Sequence, residues 1–166
     1  MLAPPVAGYD ASYLPAEINM CCRSFPFTPQ QLAADSVLSS LKSFLPQRQH
    51  SLALVETFLE HMSWMFHIVS RQEMHGVIDI IYDEEQRVEY GPHDLALLLI
   101  VLSVGSMVHL DLPPFNVEAQ HYYRLAHAAL ALQPILAEES FVSVKVNNFP
   151  PTLDGSYNCG LKRFFI

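Results

Sequence analysis

The stretch Leu95-Ala96-Leu97-Leu98-Leu99-Ile100-Val101-Leu102-Ser103-Val104-Gly105-Ser106-Met107-Val108-His109-Leu110 is greasy on every side and stops at Asp111-Leu112-Pro113-Pro114. A helix on a protein surface keeps a polar stripe at a period of about 3.6 residues, and one without such a stripe persists in water only when other elements wrap it. The segment therefore predicts an all-α fold: an irregular multi-helix bundle around a buried central helix at about residues 93–110. With His109 neutral the stretch carries no formal charge, so a membrane span is the competing reading. A span takes about twenty apolar residues, and Ser103, Ser106 and His109 interrupt this shorter run, which favours burial inside a soluble bundle.

Working outward, Gly91 and Pro92 break the chain before the central helix, and Asp94 sits in its first turn, where the helix dipole favours a carboxylate. On the far side Pro113 and Pro114 forbid continuation. Asn116 is a cap for the next helix, which carries Glu118 in its first turn and Tyr122, Leu125, Ala129 and Leu132 on its inner face before ending near Gln133 and Pro134. Upstream, Ser70-Arg71-Gln72-Glu73 has the spacing of a capping box. It opens a helix with a Met74, Val77, Ile78 and Ile81 stripe that frays near Asp83. Before it, Leu52, Val55, Leu59, Met62 and Phe66 step by three or four residues, widened by Leu54, Phe58 and Met65; this predicts one long helix from Pro46, mostly covered by neighbours, with Trp64 and Phe66 as its anchors. Thr28 followed by Pro29 reads as the start of a helix over 29–44, the hydroxyl capping it and the proline occupying its first turn.

Residues 1–28, rich in proline, read as an irregular lead-in draped on the domain. Residues 29–146 form the partial helical domain, with Ser140 to Val146 readable as a sixth helix or, from its β-branched residues, a strand. From Asn147 turn formers take over and no periodic apolar face returns, so 147–166 reads as an irregular tail.

Among the 166 residues, 51% are hydrophobic and 16% charged, enough for a sizeable core. Seventeen acidic residues against nine basic give a net charge of -8, which repels a phosphate backbone and argues against direct nucleic-acid binding. Lys162-Arg163 is too short for an import signal. Cys21, Cys22 and Cys159 make neither a disulfide framework nor a four-ligand zinc site, consistent with a reducing compartment.

Candidate chemistry is sparse. Gly155 and Gly160 have P-loop spacing, but Leu161 stands where the lysine is needed and no hydroxyl follows. Glu118-Ala119-Gln120-His121 is a single E-x-x-H, whereas a carboxylate-bridged metal pair needs two, and His61 and His67 do not share a helical face. Ser103 and Ser106 lack a nucleophile elbow and are expected to bond back to a carbonyl one turn earlier. Glu56 and Glu60 share a helical edge at i, i+4, more often a wet edge than a carboxylate pair. Methionines 20, 62, 65, 74 and 107 read as gap filling in the core before they read as a ligand surface. No catalytic, cofactor-binding or metal residue is assigned.

Two blocks carry a resemblance. Glu60-His61-Met62-Ser63-Trp64-Met65-Phe66-His67-Ile68-Val69-Ser70-Arg71 resembles the E-H-x-x-W-M-F-x-I-x-x-R segment of the fungal-specific transcription factor domain, the middle homology region of zinc binuclear-cluster factors. His93 through Phe115 and Asn116, then Glu118-Ala119 and Tyr122-Tyr123-Arg124-Leu125-Ala126, resemble that family's central helix, its L-D-L-P-P turn and its A-x-x-Y-Y-x-L-A helix. Together they cover about 46–146.

The resemblance implies an all-helical regulatory and protein-interaction region acting in the nucleus, without an active site, with protein partners or self-association and a metabolite as a candidate effector. Zinc would belong only to the family's six-cysteine DNA-binding module, which this sequence lacks. The marker residues it singles out are Glu60, His61, Trp64, Met65, Phe66, Ser70, Arg71, Glu73, the Asp111-Pro113-Pro114 corner, Tyr122, Tyr123 and Leu125. Since the family's helices continue past the position of Val146, the expectation is a truncated domain, its central helix left with exposed apolar surface and prone to associate. The alternatives are a non-functional truncated fragment, and a small-molecule-binding helical protein with a pocket among Trp64, Met65, Met107 and Tyr122.

Overall fold

A computed structural model describes residues 13–25, 27–29, 33–64, 69–83, 90–110, 113 and 116–133. Among them are six helices: α1 Ala16–Ser24, α2 Ala34–Lys42, α3 Arg48–His61, α4 Arg71–Tyr82, α5 Pro92–Val108 and α6 Val117–Ala131. No strand occurs among the described residues, and the fold is all-α.

The greasy segment is the axis of the bundle. From Leu95 to Leu102 no residue of α5 exceeds 3% exposure, and burial continues through Ser106. Chiefly α6 and α3 pack on it, with α4 on a further side, while α1 lies against α6. Along α5 the exposed apolar side expected of a truncated central helix is therefore absent; among the described residues the large exposed hydrophobic side chains are Trp64, Leu110, Phe27, Val117, Met20 and Tyr13. Among the described residues no helix is long and apolar enough to cross a membrane.

Several helix ends follow from local chemistry. The Glu73 amide donates to Ser70 Oγ at 3.2 Å and the Ser70 amide to Glu73 Oε2 at 3.5 Å, the reciprocal box that starts α4. Asp94 reaches back to the Gly91 amide at 2.9 Å at the start of α5, and Asn116 caps α6. On α4 the inner stripe is Met74, Ile78 and Ile81, with Val77 at its margin.

Three expectations need correction. First, the lead-in contains a helix. Pro15 stands at the cap of α1, Glu17 lies in its first turn and Arg23 in its last, and Leu14, Ile18 and Cys21 bury one face. That four-then-three spacing is a helical stripe hidden among prolines, and proline at the first turn of a helix does no harm.

Second, the helix after Pro29 begins at Ala34. Ala33 caps it without a side-chain bond, Asp35 complements the dipole, and the buried Thr28 hydroxyl has no hydrogen-bond partner among the described residues. Third, the long helix ends at His61. Trp64 lies in the turn beyond it with 68% of its surface exposed, and its indole N–H donates to the His61 carbonyl at 2.8 Å. An indole donor needs an acceptor, and a helix end with unused carbonyls supplies one. Phe66 and Met65, like Asp111, Pro114 and residues 134–166, lie outside the described residues, so the reading of 140–146 lies outside them too.

Helices α3 and α5 approach closely at Gly105. A Cβ placed there would sit 2.2 Å from the Leu54 carbonyl oxygen, an overlap with backbone that no rotamer change can relieve. Gly76, within α4, would meet nothing within 4 Å. Gly105→Ala is expected to lower stability by about 1–3 kcal/mol through overpacking, even after the gain in helix propensity. Gly76→Ala is expected to raise it by about 0.5–1 kcal/mol. Urea unfolding of the two variants beside the parent chain measures both, and equal midpoints for Gly105→Ala and the parent would refute the close approach.

Candidate functional site

Polar side chains meet where α5 ends and α6 begins. Asn116 Nδ2 donates to the Ser106 carbonyl at 2.7 Å, while its Oδ1 accepts the Ala119 amide at 2.7 Å and the Ser106 hydroxyl at 3.0 Å. The amide orientation is dictated by its neighbours, since a backbone N–H can only donate and a carbonyl can only accept. One side chain thus caps α6 at its start and satisfies a last-turn carbonyl of α5. One turn back along α5, Ser103 donates to the Ala119 carbonyl at 2.7 Å. Neither serine bonds back within its own helix as expected; both tie α5 to α6, because α6 lies close enough to offer a competing acceptor.

Glu118 extends this joint. Its Oε1 takes His50 Nε2 of α3 at 2.6 Å and the Tyr122 hydroxyl at 2.9 Å, and its Oε2 lies 3.4 Å from Ser106 Oγ. One carboxylate thus takes donors from α3 and α6 and lies beside Ser106 of α5. Burial, followed by the bond to Glu118, pushes the Tyr122 phenol well above the ordinary tyrosine range, so it remains a protonated donor.

The E-x-x-H pair is directed apart: Glu118 toward α3 and α5, His121 toward Tyr13 and Phe44. Among the described residues no group of three or more His, Cys, Asp or Glu side chains is gathered as metal ligands.

A second polar seam joins α3 to α4. Glu56 pairs with Arg71 and accepts His75 Nε2 at 2.9 Å, and Arg48 pairs with Asp79. The Tyr82 hydroxyl donates to the Pro46 carbonyl at 2.7 Å and lies 2.6 Å from Ser51 Oγ. Here Arg48, Asp79, Tyr82 and Asp83 line a surface cleft. The expected wet edge of Glu56 and Glu60 divides: Glu60 is exposed, while Glu56 is an inter-helix bridge.

The marker residues are not one site. Glu60, His61 and Trp64 lie at the C-terminal end of α3, exposed. Ser70, Arg71 and Glu73 start α4, Pro113 is exposed in the connection to α6, and Tyr122 and Leu125 are buried beneath α6. Tyr123 lies at the core margin, its ring 4.3 Å from that of His127.

Of the residues expected to line a pocket, Trp64, Met65, Met107 and Tyr122, Met65 lies outside the described residues, and Trp64 and Tyr122 stand apart. Tyr122 meets the start of α3 through Glu118 and His50, whereas Trp64 lies beyond the other end of α3, and His50 to His61 alone spans roughly 16 Å of helix. Sequence reasoning missed the joint's hub, Glu118, reading it only as a first-turn acid or a metal ligand. The legible signal was two serines one turn apart facing an asparagine cap just after a proline corner.

Comparison of the chain with protein-family models, with curated proteins and with solved structures gave no match in any of the three. The family resemblance rests on its residues alone.

Asn116→Ala removes a cap and both bonds to Ser106, an expected loss of about 2–3 kcal/mol. Asn116→Asp keeps the acceptor for Ala119 but loses the donor to the Ser106 carbonyl, so it should recover only part of that loss. Chemical denaturation ranks the three proteins, and an aspartate variant as stable as the parent would show that the donor to α5 contributes nothing.

Proposed function

We propose that the chain is a regulatory, protein-interaction region of a fungal transcription factor, similar to the middle homology region and acting in the nucleus through protein contacts, with a metabolite as a candidate input. Its two motif blocks, in the family's order and at a fitting interval, support this reading. So does the use of the polar groups: the serines, Asn116, Glu118 and Tyr122 are committed to joining helices. A net charge of -8 leaves DNA contact to another module.

Trp64 is the observation that carries the interaction reading. An indole 68% exposed yet oriented by its bond to the His61 carbonyl is a large apolar surface at low conformational cost, the residue type that anchors protein interfaces.

The test is a reporter in which the chain is placed between a heterologous DNA-binding module and a strong activation domain. The parent chain is expected to lower output severalfold. Trp64→Ala should relieve the restraint at unchanged protein level and melting temperature, because the exposed ring contributes little to the core. Output indifferent to both the insertion and the substitution would overturn the proposal.

A further inference from the structure

We infer that the cleft between the start of α3 and the end of α4 is a binding site for a basic amino acid, held by its carboxylate on Arg48 and by its two cationic groups on Asp79 and Asp83. Among the described residues the cleft is lined by Arg48, Asp79, Tyr82 and Asp83, and its volume of about 420 Å³ is within the range of small-ligand sites.

The charges in the cleft run against local helix chemistry. Carboxylates are stabilised in the first turn of a helix and cations in the last. Helices α1 and α2 obey this, with Glu17 and Asp35 at their starts and Arg23 and Lys42 at their ends. The two termini that meet in the cleft do the reverse. α3 opens on Arg48 with no acid in its first turn, and α4 closes with Asp79 in its last turn, Asp83 at its cap and no basic residue. Asp79 and Asp83 stand one turn apart, close enough for like charges to repel. The Arg48–Asp79 ion pair offsets part of this conflict and leaves one carboxylate in excess.

The floor of the cleft is fixed and neutral. The Tyr82 phenol donates to the Pro46 carbonyl at 2.7 Å and lies 2.6 Å from Ser51 Oγ, and burial pushes its pKa above the ordinary tyrosine value. The cleft therefore presents one positive and two negative groups. A ligand that leaves none of them unpaired carries one negative and two positive groups, which is the pattern of lysine or arginine. Its carboxylate and α-ammonium, one carbon apart, match the adjacent Arg48 and Asp79, and its side-chain cation is left for Asp83.

Entry costs little. The Arg48 and Asp79 side chains are 57% and 55% exposed, and a pair so open to water contributes little to the fold. Exchanging it for one pair from each residue to a zwitterion keeps every charge compensated. A carboxylate has about four lone-pair sites, so Asp83 accepts a cation beside the interaction it already makes. A neutral amino acid supplies no cation for Asp83, and a diamine supplies no carboxylate for Arg48.

As a metabolite input the site rests on the regulatory reading above, whereas binding is measured on the chain alone, so a failed reporter and a failed titration are separate results. The experiment titrates the full, ¹⁵N-labelled chain with lysine and follows its backbone amides. Saturable shifts are expected around residues 46–51 and 79–83, weakening as salt is raised. Leucine, glutamate and cadaverine should each bind severalfold more weakly than lysine.

Asp83→Asn should erase the preference for lysine over leucine, and Arg48→Gln the preference for lysine over cadaverine, with the amide spectrum away from the cleft unchanged in both. No saturable shift, shifts scattered over the acidic surface, leucine or cadaverine equal to lysine on the parent chain, or either preference surviving its substitution would each overturn the assignment.

Discussion

The side chain of Asn116 is the constraint on which the centre of the bundle depends. α5 ends in carbonyls that lack partners within the helix, and α6 begins with amides in the same condition, both in a place withdrawn from water. A single buried amide answers one group of each kind and adds an acceptor for Ser106. Because an amide donates and accepts on opposite sides of one rigid plane, this also sets how the two helices meet. The Ser103 bond to the Ala119 carbonyl one turn away repeats that register, so α5 and α6 act as one hairpin against which the other helices pack.

Around the hairpin, each neighbour is attached by a different physical means. α3 lies close because Gly105 offers no side chain to the Leu54 carbonyl, and its start is drawn in by the contact of His50 with Glu118. α4 is held by its apolar stripe and an ionic edge toward α3 through Glu56, Arg71 and His75. α1 rests on α6 through Leu14, Ile18 and Cys21, with Tyr13 and Phe25 at its two ends in ring contact with histidines of α6. The exposed ion pairs on the α4 edge contribute little by themselves and are screened by salt. The buried joint at Asn116 contributes more, because breaking it leaves polar groups unpaired away from water.

That division bears on function. The polar groups with the richest chemistry sit at the helix joint, each engaged with another helix, while the indole of Trp64 stands in solvent at the opposite end of α3. A stiff helical core with an oriented aromatic at its surface suits recognition of a macromolecule, which is why the proposed role is regulatory contact with a protein.

Much was legible from residue pattern. The lack of any polar stripe over Leu95 to Val108 requires enclosure whatever the neighbours are. The Ser70 to Glu73 box, Asp94 and Asn116 act within a few residues of themselves, so their roles could be read locally. Pattern failed where the deciding partner lies far along the chain. Nothing local announces that Glu118 would meet His50, and the end of the helix before Trp64 was hidden too, since apolar spacing from Met62 onward reads equally well as a continued turn. α1 was legible in the spacing of Leu14, Ile18 and Cys21 but masked by prolines on either side. Local spacing and composition thus decided that this protein is a helical bundle with a buried axis. Tertiary packing decided which polar groups join, because the hydrogen-bond partner of a buried side chain is chosen by whichever helix is brought within about 3 Å of it.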